Sequence, residues 1–176
     1  SISVESNPAF APTLEEAEDE NPLVTFLGSH FTGRKLIAEK DFIAELEKMN
    51  EFAKESEVKI WVTSSFRTST NVIGAIVTPA KRSNHLVGHA IDMNLLYGDN
   101  FQQLCNSTEL DDEDNWPEQV RSFIGKIRED ETLRWGGDFR RKDSVHIDDN
   151  INNREPETWQ AKYDAIWAYK RRQNGG

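Results

Sequence analysis

"KRSNHLVGHAIDMNLLY", residues 81 to 97, places His85, His89 and Asp92 within eight positions. How this stretch folds decides which of them can meet at one point. A helix would put the three at i, i+4 and i+7 on one face, as in the H-E-x-x-H zinc helix. That helix needs Glu directly after the first His, where this chain has Leu86, and Gly88 disfavours a helix interior. The other reading ends a turn at Gly88 and starts a strand near His89. Side chains then alternate between faces, with Ala90, Asp92 and Asn94 on one side and His89, Ile91 and Met93 on the other. His85 can fold back over the Asp92 face, where small Ala90 leaves room for an ion. This reading keeps His85 and Asp92 as ligands and gives His89 a packing or surface role.

Two protein ligands do not make a catalytic zinc site, which ordinarily has three and an open position. The chain has two further histidines, His30 and His146. His146 lies in the strand-like "DSVHID", approached from "RWGGDF" (134–139), where Gly136 and Gly137 permit a tight turn. His30 lies in the loop "GSHFTG" without a carboxylate in register. This favours His146 over His30 as the third ligand without excluding His30. Cys105 is the only cysteine, so an internal disulfide and a thiolate cluster are both excluded, and its expected role is packing.

At 176 residues the chain can bury one sizeable core. Its net charge of −10 argues against a nucleic-acid partner, and no stretch approaches the roughly 18 apolar residues of a membrane span. Residues 1–22 carry three prolines and an acidic cluster, and read as a disordered tail or linker before a single domain over 23–176. Helical periodicity is expected over 39–56, with Phe42, Leu46, Met49 and Phe52 or Ala53 on one stripe. A helix capped by Asn115 is expected to run to about Asp130, burying Val120, Phe123, Ile124 and Ile127. A last helix over 156–172 presents Trp159, Tyr163, Ile166 and Trp167 on one face. Residues 58–66, 90–97 and 144–148 read as strands. The acidic run 111–114 lacks the glycine and terminal Glu of a calcium loop and reads as an N-terminal flank of the helix after it. Together these elements predict an α+β fold, a small antiparallel sheet flanked by helices.

"SNHLVGHAID" fits S-x-H-x-x-G-x-A-x-D, and "DSVHID" supplies the acidic-x-x-H element that follows it. In this order the pair resembles the D-alanyl-D-alanine carboxypeptidase (VanY-like) family of zinc peptidases, which includes the L-alanyl-D-glutamate endopeptidases of phage endolysins. "RWGGDF" is most similar to the endolysin-type members, and "SSFR", ending at Arg67, resembles the family's strand-borne arginine motif. The resemblance covers roughly residues 35–150.

It implies the peptidase fold shared with the hedgehog signalling domain, and about one zinc per chain on His85, Asp92 and His146. It further implies that Asp143 is the catalytic acid/base and that Arg67 polarises the substrate carbonyl. Ser83 would contact substrate or support the ligands. Trp135 would shape the loop carrying Asp143 or touch substrate. Asp148, two residues after His146, could orient that ligand or be a solvated acid. Many members carry Glu in place of Asp143, so the shorter side chain requires a closer backbone. The implied substrate is a peptidoglycan stem peptide, cut at L-Ala–D-Glu or at the terminal D-Ala–D-Ala by a monomer that is secreted, periplasmic or delivered. A non-catalytic zinc-containing binding or signalling module on the same scaffold is the alternative.

Overall fold

The computed structural model describes residues 20–69 and 82–175. The expectation for the acidic tail therefore lies, up to residue 19, outside the described residues.

The described residues begin with β1 (Leu23–Phe26), β2 (Phe31–Gly33) and β3 (Leu36–Glu39). A single 3-10 turn leads into α1 (Ile43–Ser56), whose Leu46, Met49 and Ala53 form the buried stripe. Next come β4 (Lys59–Ser64), β5 (Ala90–Tyr97), β6 (Gln103–Cys105) and the one-turn helix α2 (Ser107–Leu110). Then follow α3 (Glu118–Glu129), β7 (Arg134–Trp135) and β8 (His146–Asp148), and finally α4 (Ile151–Arg154) and α5 (Pro156–Gly175).

The main sheet has the order β2-β4-β5-β8-β7, with β6 also pairing β5, and β1 and β3 form a separate antiparallel pair. The α+β class holds, with one refinement: β2 runs parallel to β4, while the other pairs in the sheet are antiparallel. One face of the sheet is apolar. Ile60, Val62, Ile91, Met93, Leu95 and Ile147 lie in a core shared with Phe42, Leu46 and Met49 of the α1 region and with Val120, Phe123, Ile124 and Ile127 of α3. Cys105 belongs to this core, and burial pushes its thiol up to about 12. It packs there, as expected.

The helix expected to begin on Asn115 starts later. Asn115 closes a 3-10 turn and donates its amide to the Asp112 carboxylate, while Pro117 occupies the cap position of α3. A proline suits a helix start because its missing N–H would have had no intrahelical partner. The acidic run is tied down by side chains: Glu113 pairs with Arg128, and Asp111 accepts from Ser144.

A second apolar cluster joins Leu86, Val87, Ile151, Trp159 and Ile166. It seats the turn carrying His85 against α5. Truncating a buried Trp of this kind typically costs about 3–5 kcal/mol. The last helix is therefore part of what holds the site.

Candidate functional site

His85 sits in the 3-10 turn Asn84–Val87. Ser83 Oγ accepts the His85 N–H at 3.2 Å, and Gly88 ends the turn at φ +70°. A Cβ at Gly88 would come within 2.5 Å of the Glu39 nitrogen, so both the conformation and the space require glycine. The His85 carbonyl accepts the Arg67 N–H at 3.1 Å, which ties the arginine segment to the same turn. Ser83 is thus engaged as the cap of the His85 turn, and its carbonyl accepts from the Trp159 indole.

Asp92 and His146 are directly opposed across β5 and β8. Such cross-strand pairs project from one face with Cβ atoms about 5 Å apart. His85 Nε2 lies 3.2 Å from Asp92 Oδ1, and His146 Nδ1 lies 3.5 Å from the same oxygen. One ligand atom from each of the three residues falls within 4.8 Å of the others. His30, the competing third histidine, lies elsewhere, with Ser29 Oγ at 2.9 Å and its ring against Phe101.

The far nitrogen of each imidazole is occupied. His85 Nδ1 donates to the Ser65 carbonyl at 2.7 Å, and because a carbonyl can only accept, Nε2 is left to face Asp92. His146 Nε2 donates to Asp148 at 2.6 Å, which leaves Nδ1 facing the cluster. Asp148 is itself buried and gripped by the Arg134 guanidinium at 2.6 and 3.1 Å. It is not a solvated acid. Burial works against the Asp92 carboxylate, yet His146 and His85 hold it well below the ordinary carboxylate range. Burial also opposes an imidazolium at His146, but Asp148 and Asp92 outweigh it and the group is pushed up to about 9. Two imidazole nitrogens and an ionised carboxylate, each aimed at one point and held from behind, fit a zinc ion, which would take the place of the proton that the carboxylates hold on His146.

Asp143 and Arg67 flank this cluster. Asp143 Oδ2 is 4.0 Å from His146 Nδ1, and its side chain is 52% exposed. Arg67 Nη2 is 3.9 Å from Asp92 Oδ2. Burial, and then the Asp92 charge, raise the Asp143 carboxyl above its ordinary value, against the pull of His146, His85 and Arg67. The loop carrying Asp143 is fixed at both ends. The Gly136 carbonyl accepts the Asp143 N–H at 2.9 Å, and the Asp143 carbonyl accepts the His146 N–H at 3.0 Å. A Cβ at Gly136 would lie 2.2 Å from the Asp143 carbonyl oxygen.

Trp135 is 3% exposed and offers no surface to a substrate. Its indole N–H donates to the Ser144 carbonyl at 2.7 Å, so it holds the Asp143 loop from the core side.

His89 points away from the cluster, but it is neither a surface nor a simple packing residue. It is 2% exposed, with Glu39 at 2.6 Å from Nε2 and Asp149 at 2.6 Å from Nδ1. Burial disfavours its charged form, yet the two carboxylates raise it above the usual histidine value. Lys162 of α5 reaches the same Glu39 at 2.8 Å and also pairs with Asp41. The carboxylates sit on opposite sides of the ring, so they bracket the imidazole and do not converge on an ion. No local spacing announces this network, since its members come from β3, the residue before β5, α5 and the residue after β8.

Residues 77–149 match the D-alanyl-D-alanine carboxypeptidase family model. This is the VanY-like zinc peptidase family that the motifs resemble. The match supports a peptidase, and it spans His85, Asp92, Asp143 and His146 while Arg67 lies outside it. No curated protein matches the sequence.

Proposed function

We propose that this protein is a zinc peptidase that hydrolyses peptidoglycan stem peptides, with L-Ala–D-Glu as the preferred bond and the terminal D-Ala–D-Ala as the other bond the family resemblance allows. The observation that carries this reading is the convergence of His85 Nε2, Asp92 Oδ1 and His146 Nδ1, with Asp143 and Arg67 at its edge. His85, Asp92 and His146 would hold the ion, which when bound lowers the pKa of water toward about 7 and polarises a carbonyl. Asp143, half exposed at the rim, takes a proton from the attacking water and returns it to the leaving amine. Arg67 supplies a fixed positive charge for the developing oxyanion. Asp148 and Ser65 keep the two imidazoles in the tautomers that ligation needs.

Metal analysis after zinc loading tests the ligand set. About one zinc per chain is expected for the wild type and for His89→Gln, and none for His85→Ala or His146→Ala. Asp143→Ala should keep its zinc and lose cleavage. Zinc binding that survives in His146→Ala would overturn the assignment.

A further inference from the structure

The two faces of the central sheet differ sharply. Along β4 and β5, alternate residues Ile60, Val62, Ile91, Met93 and Leu95 enter the core. The same period of two puts Trp61, Asp92, Asn94 and Leu96 on the opposite face. Trp61 pairs directly with Asn94, the next residue on that face after Asp92. Trp61 is 43% exposed, and Leu104, which pairs with Leu96, is 45% exposed. A peptide that reaches Asp92 and His146 must lie over this face, because the other face is filled by the core. Strand geometry puts the Cα atoms of Trp61 and Asp92 about 8 Å apart, two residues along β5 and one strand across, with the indole edge beside Gly33 of β2.

That spacing discriminates between substrates. In a stem peptide the L-Ala–D-Glu bond is separated from the muramic acid ring by one alanine and a lactyl ether, about 7 Å of chain. A terminal D-Ala–D-Ala bond lies three residues further out, roughly 18 Å from the sugar. Indole offers a broad apolar plane with an electron-rich face, which complements the C–H face of a pyranose ring. Resting on the proposed peptidase reading, we infer that Trp61 is a sugar-binding residue that stacks on the muramic acid ring of the substrate. The enzyme then recognises glycan-linked stem peptides and cuts beside the glycan.

The test needs one binding and one kinetic measurement. N-acetylmuramyl-L-alanine contains no bond that the proposed reaction cuts, so it can be titrated into the zinc-loaded protein while the Trp61 indole N–H is followed by NMR. The resonance, assigned by its loss in Trp61→Phe, should shift with this compound and stay still with N-acetyl-L-alanine. No shift, or equal shifts with both, would overturn the inference. In the kinetic arm, Trp61→Ala should raise KM about tenfold for a muramyl-linked stem peptide and leave the sugar-free peptide unchanged, with Trp61→Phe recovering most of the loss. Equal changes for both substrates would also overturn it. A wild-type protein that shows the sugar-dependent shift but cuts neither peptide retains the Trp61 assignment and refutes the hydrolytic reading instead.

Discussion

Asp148 accepts a hydrogen bond from His146 Nε2 at 2.6 Å while its other oxygen takes Arg134 Nε at 2.6 Å. The carboxylate therefore fixes which imidazole nitrogen faces the cluster and how strongly it can donate. Replacing it with Asn keeps the shape and removes the charge. Asp148→Asn should bind zinc about 10- to 100-fold more weakly, measured by chelator competition, with the fold intact by circular dichroism. An unchanged affinity would mean that Asp148 is only structural.

The Glu39–His89–Asp149 bracket predicts a large loss of stability on truncation. His89→Ala leaves the buried Asp149 without its ion partner and Glu39 with Lys162 alone, and breaking a buried pair in this way costs on the order of 3–5 kcal/mol. Urea unfolding of the zinc-loaded protein should show this, with His89→Gln milder because its amide can still donate to one partner. A His89→Ala loss below about 1 kcal/mol would contradict the bracket.

The same bracket gives a pH signature. Glu39 is lowered from its ordinary 4.5, so its contribution is present above that value and is lost as pH falls through the lower folded value. His89 is raised from 6.5, so its contribution is complete below 6.5 and is lost as pH rises through the higher folded value. The stability difference between wild type and His89→Gln should therefore be greatest between about pH 4.5 and 6.5 and shrink on both sides. Thermal melts across pH 3–9 measure it, and a difference that grows above pH 6.5 would reverse the assigned sign.

Gly136 is where the Asp143 loop meets the His146 strand without room for a methyl group. Gly136→Ala should displace Asp143 and lower kcat by about 100-fold, the typical cost of a 1 Å misplacement, while zinc stays bound. Activity within a factor of a few of wild type would show that the loop can yield.

Arg67 is tested by charge and shape together. Arg67→Ala should retain zinc and lose on the order of 100-fold in kcat, with Arg67→Lys recovering part of it. A change confined to KM would assign Arg67 to ground-state binding.

Much of the site was legible from the sequence because its determinants are local. Gly88 sets the turn, and the two-residue period sends His89 away from Asp92; both follow from a few adjacent residues. The helical stripes of α1 and α3 were legible for the same reason. The start of α3 lies past Asn115 because Trp116, the residue before Pro117, is extended, as the residue preceding a proline tends to be. The fate of His89 was hidden, since its partners arrive from positions 39 and 149 through tertiary packing. Short strands such as β2 and β7, two or three residues long, carry too little pattern to be read before their partners are known. Asp148 showed its register with His146 but not the Arg134 that makes it a buried ion.

The central claim, a zinc-dependent cut in the stem peptide, is most directly tested by mass spectrometry of the termini released from purified peptidoglycan. Zinc-loaded wild type should release new D-Glu amino termini and leave L-Ala on the glycan, while Asp143→Ala with zinc bound should release none. Intact stem peptides after incubation with the fully zinc-loaded wild type would contradict the account.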